Sequence, residues 1–552
     1  MKKIYIPLLA VAVALPSMTL TGCIEETFPT SSVTQDQVVD SPNAAASFAL
    51  GMPAFMNSVF VLGDNRLHSD FGYPAMMHIR DVMTGDMPIA ASASGYDWFS
   101  SWELNEYQDE SNIYPQVIWN YYTQQVQTAN LTIAAVDPET TVPQNKYYLG
   151  AGLAFRAMAY LDMARMFEYL PTDGTSAVNQ YGNDVTNLTV PIVTETMGEA
   201  EARQNPRATR EQMIEFIISD LDKAETYIVE GSRPSKTMPD LACVYGLKAR
   251  AYMWVENYPK AKEYAEKAIA AHKGTPTTEA QWLSTTNGFN DLDTPSWMWG
   301  MKFVKEDNCV RTGIVNWTSW ASNELKPGYS AAEPHLMIDA ALYNSIDNRD
   351  FRKLTFVAPE GSPLEGKENF INRSVLETPQ DSKDYPVILE PYASLKFKPA
   401  KGEMLLTQEG CSSAAPMMRV EEMYFIKAEA AAQTSPAEGK AAIEDFMRQY
   451  RFAGYACSAT TKDGVVDEIF RQKRMEFYGE GIILFDYKRL NKPVVRHYDG
   501  SNWVEDKQFN TTTRPAWMNY VIVQTEGNNN SAVKSFNNPN PSGCYTSLGT
   551  SK

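Results

Sequence analysis

Two irregular stretches of the sequence combine flat aromatic residues with polar neighbours. Tyr96 and Trp98 follow a run of small residues, and Arg80 lies upstream as a candidate hydrogen-bond donor. The second stretch follows a pair of predicted helices and contains Trp299, Trp317 and Trp320. An exposed ring packs against the apolar C–H face of a sugar, while nearby polar groups bind the sugar hydroxyls. These residues therefore predict a non-catalytic carbohydrate-binding site, unless the rings instead pad the core beneath the loops.

Motifs of catalysis are missing from the sequence. It contains no GxSxG nucleophile elbow, no HExxH helix, no phosphate-binding loop and no CxxC pair. Its five histidines are scattered, without the spacing of metal ligands. The acid and base of a glycosidase are recognised by the distance between their carboxyl groups in the fold and not by their spacing in the sequence. The sequence therefore does not exclude a glycoside hydrolase. We expect no cofactor; a structural calcium ion at the acidic pairs Asp291/Asp293 or Asp347/Asp350 is the alternative.

The charge balance excludes one broad class of partner. The 552 residues include 49 Lys and Arg against 67 Asp and Glu, which gives a formal charge of −18. A protein that binds nucleic acid needs concentrated positive charge to displace counterions from the phosphates. The hydrophobic share of 44% and the charged share of 21% are those of a globular chain. We therefore expect a folded protein that does not bind nucleic acid.

The first 42 residues carry an export and anchoring signal. Lys2 and Lys3 precede a short apolar run, and the segment ends in Leu-Thr-Gly-Cys at Cys23. A positive start, an apolar stretch too short to span a bilayer and small residues before a cleavage point are typical of a signal peptide. The last four residues resemble a bacterial lipobox, whose cysteine is lipidated; a plain signal peptide is the alternative. We expect a signal peptide over 1–22, a lipidated tether over 23–42 and membrane attachment through the lipid alone.

Apolar residues recur at helical spacing over most of the remaining chain. The stretches with this period are 112–136, 146–170, 210–228, 241–255, 258–271, 417–434, 441–451 and 465–488. The stretches without a sustained period are rich in Gly, Pro, Asn and Ser and cover 172–206, 273–416 and 491–552. The pair 241–255 and 258–271 places small and aromatic residues as a tetratricopeptide repeat does, although a generic helical hairpin is the alternative. The fold is therefore predicted to be mainly α, with helix pairs that carry long irregular loop insertions.

Several of these helices carry residues that occur together in one family. The first three contribute Trp119, Tyr122 and Asn130, then Phe155-Arg156-Ala157 with Tyr160, then Asp220-Leu221 with Ala224. The C-terminal helices add Arg419, Glu422, Ala428 and Glu429, then Glu476, Glu480, Gly481, Asp486 and Arg489. Together with the lipobox, this combination resembles the SusD/RagB-like family of outer-membrane nutrient-binding lipoproteins. Two positions depart from the family pattern: Gln472 replaces the usual acid, and Ile483 replaces the usual arginine.

The resemblance implies a right-handed superhelical scaffold of tetratricopeptide-like helix pairs. Residues 43–552 would form one helical body, with repeat-like helices over 210–272, a loop-rich insertion over 273–416 and C-terminal helices over 417–490. The implied function is non-catalytic capture of oligosaccharides on the outer face of the outer membrane, for a SusC-like TonB-dependent transporter. A peptide-capturing lid of such a transporter, a surface glycoside hydrolase and a protein scaffold are the alternatives. The charged family residues need not bind a ligand, because paired charges between packed helices also fix helix register.

Overall fold

The structure is a computed structural model, and it describes residues 44–58, 68–90, 99, 102–103, 107–311, 313–329, 335–377, 388–544 and 548. The predicted signal peptide, the lipidation site Cys23 and the tether lie outside the described residues. Within them the chain forms 19 α-helices and one two-stranded sheet, so the prediction of a mainly α fold is confirmed. No helix of the described part is long and apolar enough to cross a membrane.

The long helices form the scaffold, and short helices interrupt the loops between them. In chain order the helices are α1 (Ala44–Met56), α2 (Tyr73–Val82), α3 (Ile113–Ala134), α4 (Pro143–Phe167), α5 (Glu199–Ala202), α6 (Arg210–Tyr227), α7 (Leu241–Trp254), α8 (Tyr258–Ala271), α9 (Glu279–Trp282), α10 (Asn308–Arg311), α11 (Trp317–Ala321), α12 (Ala340–Asn344), α13 (Arg373–Glu377), α14 (Thr407–Cys411), α15 (Val420–Thr434), α16 (Pro436–Tyr450), α17 (Lys462–Glu476), α18 (Ile483–Arg489) and α19 (Gln524–Asn529). Neighbouring pairs pack side by side: α3 with α4, α4 with α6, α7 with α8, α8 with α15, and α15 with α16.

Caps and helix breakers fix the helix ends where the sequence predicts them. Thr209 and Gln212 form a reciprocal capping box at the start of α6. The Asn257 side chain accepts a hydrogen bond from the Lys260 amide at the start of α8, and Pro259 occupies the first turn. The predicted helix pair α7 and α8 is therefore confirmed, with its break at the predicted place.

The single helix predicted over 465–488 is wrong, because the chain turns between α17 and α18. Gly479 and Gly481 adopt positive φ angles of 76° and 70°, a conformation that residues with a side chain rarely adopt. A Cβ atom at Gly481 would also lie 2.6 Å from the Cα atom of Met77 on α2. Apolar residues continue through this turn, so the helical period alone did not reveal it.

The two-stranded sheet joins the ends of the long irregular insertion. Strand β1 (Trp297–Lys302) pairs antiparallel with β2 (Ala414–Arg419), so that Trp297 lies opposite Arg419 and Lys302 opposite Ala414. The helix predicted to start at residue 417 therefore starts at Val420, because the preceding residues belong to β2. The sheet brings residues 303 and 413 together, where the Phe303 amide donates a hydrogen bond to the Ser413 carbonyl at 2.9 Å.

Candidate functional site

Two of the predicted sugar-binding rings, Trp317 and Trp320, lie together on α11 in a buried aromatic cluster. Trp317 stacks on His78 with 4.7 Å between the ring centroids, and Trp320 stacks on Tyr329 at 3.6 Å. Each tryptophan is only 2% exposed. Burial lowers the pKa of His78 to about 3, so its imidazole is neutral at physiological pH. In this arrangement neither indole offers a free face to a sugar.

Trp299 is buried as well. It lies on β1 with 0% exposure, meets the Phe155 ring edge-on at 4.9 Å and donates its indole N–H to the Thr237 carbonyl at 3.0 Å. The prediction of exposed rings is therefore wrong for Trp299, Trp317 and Trp320, because the loop-rich insertion packs them into the core. Tyr96 and Trp98 lie outside the described residues, so their sugar contacts stay a prediction.

Arg80 does not point toward solvent either. Its Nη1 donates to Asp162 Oδ2 at 2.9 Å and to the Tyr122 hydroxyl at 2.8 Å, and the residue is 1% exposed. The helix α2 turns this side chain toward α3 and α4, where the charge of Asp162 requires a partner. Arg80 therefore joins helices together, and the prediction that it is an accessible hydrogen-bond donor is wrong.

Three charged residues of the family pattern, Arg419, Glu476 and Glu480, lie in a second buried cluster, which we call the Glu476 network. Glu476 accepts hydrogen bonds at 2.6–3.2 Å from three arginines, Arg352, Arg419 and Arg451. Four cations and four carboxylates make up the network, namely Arg352, Arg419, Arg451, Lys396, Asp350, Glu421, Glu476 and Glu480. Burial alone would raise the pKa of Glu476, but the arginines outweigh it and hold that pKa below its ordinary value. The network is balanced and structural, as the sequence predicted for these charges.

Gln472 explains one departure from the family pattern. Its side-chain Oε1 accepts a hydrogen bond from Arg352 Nη2 at 2.6 Å. A carboxylate at this position would add a fifth negative charge to four buried cations. The neutral amide keeps the hydrogen bond and leaves the charges equal in number.

A further buried ion pair connects the helices α4 and α6. Arg156 on α4 makes two parallel hydrogen bonds to Asp220 on α6, at 2.7 and 2.8 Å. Its Nη1 also donates to Asn130 Oδ1 at 2.8 Å and to Glu195. One guanidinium thus fixes α3, α4, α6 and the loop after residue 190 relative to one another.

An open groove of about 600 Å³ lies between α3, α4, the segment 191–205 and α19. Trp119 and Tyr160 line its inner side, and Leu131, Val193 and Met197 give it an apolar wall. Side-chain amides border it on several elements, namely Gln127, Asn130, Asn205, Asn529 and Asn530. Gln127 and Asn529 are exposed to solvent. Apolar surface and neutral hydrogen-bonding groups therefore meet in one open site, which we call the amide groove.

The opposite side of α19 carries a smaller crevice of about 170 Å³. Gln524 and Asn528 line it together with Tyr181, whose side chain is 50% exposed. Helix α19 thus presents amides on both sides. Sequence reasoning missed this region because its residues come from distant parts of the chain; the run Asn528-Asn529-Asn530 was the available signal.

Three carboxylates border the amide groove, and each has a partner. Glu195 accepts a hydrogen bond from Arg156, Glu199 pairs with Arg203, and Glu526 accepts from Asn530. Burial would raise the pKa of Glu195, but the hydrogen bond from Arg156 outweighs it and lowers that pKa. The acid of a glycosidase needs a raised pKa. Glu195 therefore lacks the raised pKa of such an acid.

Three of the four acidic side chains considered for calcium have protein partners, namely Asp291, Asp347 and Asp350. Asp347 pairs with Arg349, and Asp350 pairs with Arg352. Asp291 accepts a hydrogen bond from the Asp293 amide at 3.0 Å. In the part of the chain that the structure describes, no group of three or more His, Cys, Asp or Glu side chains is placed to hold a metal ion.

Two family profiles match the chain and together cover more than two thirds of it. Residues 75–253 match SusD-like proteins described as starch-binding and associating with the outer membrane, and residues 333–542 match the SusD family. The chain belongs to the SusD family. The predicted family resemblance is thus confirmed, and with it the carbohydrate-binding, outer-membrane-associated character of the family.

Solved structures of SusD proteins share this fold. A SusD-like carbohydrate binding protein from Bacteroides vulgatus is 19% identical, with a TM-score of 0.66 over 90% of this chain and 97% of that one. A SusD superfamily protein from Bacteroides thetaiotaomicron is 17% identical, with a TM-score of 0.64 over 91% and 99%. Another from Bacteroides fragilis is 16% identical, with a TM-score of 0.61 over 90% and 99%. The sequence matches no curated protein.

Proposed function

We propose that this SusD-family protein captures oligosaccharides at the cell surface without catalysis and delivers them to a SusC-like TonB-dependent transporter. The observation that carries the proposal is the open amide groove in a chain of a carbohydrate-binding family. A side-chain amide both donates and accepts hydrogen bonds, as a sugar hydroxyl does. The volume of the groove also lies within the range of roughly 300–1,000 Å³ that is usual for ligand sites. A short oligosaccharide fits this combination of size and chemistry.

The charges at the amide groove favour an uncharged glycan. Arg203, which lines the groove, pairs with Glu199 at 2.6 Å, and Glu195 is held by the buried Arg156. An acidic sugar would therefore meet a cation that already has a partner. The early loop with Tyr96 and Trp98 is the rival binding surface, and it stays a proposal beside the groove.

We further propose that the protein is attached to the outer membrane by a lipid on Cys23, with its body facing the cell exterior. The residues that the structure describes begin at Ala44, after this cysteine and the predicted tether, so we expect folding not to depend on the lipid. Cys23→Ala should leave the fold unchanged, as judged by circular dichroism, and should release the protein from the membrane fraction. Retention of the variant in that fraction would contradict the lipid anchor.

A glycan array followed by calorimetry and a reducing-end assay tests the function. We expect saturable binding to neutral glycans and no new reducing ends. Release of reducing ends would identify a hydrolase instead. Binding to a peptide array with no response to any glycan would favour the peptide-capturing lid. Co-purification of a TonB-dependent transporter from solubilised outer membranes tests the delivery step separately, since its absence would contradict only that step.

A further inference from the structure

A narrow crevice of about 40 Å³ lies where α4, α7, α15, α17 and α18 meet. Four cationic side chains line it, namely Arg165, Arg250, Lys473 and Arg489. Only two carboxylates line it, Glu422 and Asp486. We call this place the arginine crevice. It is separate from the amide groove and from the Glu476 network.

The ion pairs around the arginine crevice do not balance. Arg250 pairs with Glu422, and Lys473 and Arg489 share Glu429 and Asp486. On the remaining side, Arg80 and Arg165 share the single carboxylate of Asp162. Together with the partners Arg80, Asp162 and Glu429, which lie behind the lining, five cations therefore share four carboxylates. One positive charge is left over, in a place where Arg165 has an exposure of only 11%.

A neighbouring carboxyl group does not supply the missing negative charge. Asp81 follows Arg80 in the chain, and it accepts a hydrogen bond from the Gly481 amide at 2.8 Å. Burial raises the pKa of Asp81 to about 8, so this group is mostly protonated at neutral pH. Burial also lowers the pKa of Arg165, and the nearby charges of Arg250 and Arg80 add to that effect against the attraction of Asp162. Arg165 is thus a cation that shares its only carboxylate with Arg80.

The arginines also leave hydrogen-bond donors unused at the crevice. Nη1 of Arg489 is buried and makes no hydrogen bond, although the Tyr258 hydroxyl interacts with the guanidinium. Arg165 and Arg250 each donate through Nε and Nη2 only. For the buried Nη1 of Arg489 the missing acceptor costs about 1–3 kcal/mol, and native structures normally supply one. The crevice combines unused N–H groups with an uncompensated positive charge.

We propose that the arginine crevice binds one monovalent halide-type anion, which is chloride in a physiological medium. The ion would accept hydrogen bonds from the free Nη1 groups and would complete the charge balance. The volume of about 40 Å³ exceeds the roughly 10–15 Å³ that one water-sized particle needs, so a single small ion fits. A water molecule fits the space but leaves the charge unbalanced.

The bound anion would connect the C-terminal helix to the repeat helices. Arg489 lies on α18, Arg165 on α4 and Arg250 on α7. These helices are far apart in the sequence, and each presents a positive charge to the same crevice. Without an anion the three guanidinium groups repel one another. The anion therefore acts as a structural ligand of the scaffold, independent of whether a glycan binds.

Bromide replaces chloride and can be located directly. Crystals of the purified full chain are soaked in sodium bromide, and an anomalous difference map is calculated. We expect one peak within hydrogen-bond distance of Arg165, Arg250 and Arg489. A map with bromide at other places only, or with water in the crevice, would overturn the proposal. This readout uses the unchanged protein, so it does not depend on whether a variant folds.

Thermal unfolding measures whether the ion matters for stability. The Tm of the full chain in detergent is compared in sodium chloride and sodium gluconate at equal ionic strength, because general screening acts equally in both salts. A ligand that binds only the native state raises Tm with its concentration, here by about 2 °C between 5 and 500 mM chloride. Equal Tm values in both salts would mean binding at soak concentration only and would contradict the proposal.

Arg165→Gln removes the excess charge and tests its role. This variant should lose the difference in Tm between chloride and gluconate. Arg203→Gln is the matched control, since Arg203 is exposed and pairs only with Glu199. The control should keep the full chloride effect. An unchanged chloride effect in Arg165→Gln would assign the bound ion to another place.

Discussion

In the Glu476 network, eight charged side chains have exposures of 6% or less, whereas the amide groove has two exposed amides, Gln127 and Asn529. The cations and carboxylates of the network are equal in number and pair with one another, so none of these charges is available to a ligand. The groove holds Gln127 and Asn529 at its edge, where their donors and acceptors stay accessible. The family pattern contributes Arg419, Glu476 and Glu480 to the network and places Trp119, Asn130 and Tyr160 at the groove, which is the proposed binding site. Buried, mutually paired charges therefore characterise the scaffold, and exposed amides characterise the proposed site.

Loss of one network carboxylate should have the largest effect. Glu476→Gln leaves three arginines without their common partner, and breaking a buried ion pair typically costs about 3–5 kcal/mol. Urea unfolding should show this loss in the free energy of unfolding, while the folded fraction should bind glycan as the parent does. Glu263→Gln is the control: its exposed pairs with Lys260 and Lys267 should contribute little. A parent-like unfolding midpoint for Glu476→Gln would contradict the structural role.

Acid should weaken the same network. The folded pKa of Glu476 lies below the 4.5 of the unfolded chain, so its contribution is present above pH 4.5 and is lost as pH falls through the folded pKa. The free energy of unfolding of the parent should therefore drop more steeply between pH 5 and 3 than that of Glu476→Gln. Parallel curves for the two proteins would show that Glu476 contributes nothing to the acid sensitivity.

The variant Trp320→Ala tests whether the Trp320 ring belongs to the core or to the binding site. Trp320 is stacked on Tyr329 and 2% exposed, so its removal should cost about 3–5 kcal/mol in unfolding free energy. Calorimetry should show glycan affinity within twofold of the parent at a temperature where the variant is folded. A loss of glycan affinity without a loss of unfolding free energy would show that Trp320 belongs to the binding site.

The sequence predicts the fold well and the site poorly, for physical reasons. Helices such as α6 and α8 carry their own period and caps, which are local signals. The turn at Gly479 and Gly481 depends on close contact with α2, a tertiary signal that periodicity lacks. Trp299 and Trp317 lie in a stretch that the sequence predicts to be a loop. Their burial follows from how that stretch packs in the fold, which the sequence pattern does not show. The sequence did not predict the amide groove, because Gln127 and Asn529 are far apart in the chain and line the same groove only in the folded structure.

The most direct test of the account is calorimetric titration of the double variant Gln127→Ala/Asn529→Ala with the best glycan from the array. Both side chains are exposed, so the Tm should stay that of the parent. Two lost hydrogen bonds of about 0.5–1.5 kcal/mol each should weaken binding roughly tenfold or more. Gln408→Ala, an exposed glutamine on α14, is the control and should bind as the parent does. Parent-like affinity of the double variant, together with lost affinity in Trp98→Ala, would contradict the groove and assign the glycan to the early loop.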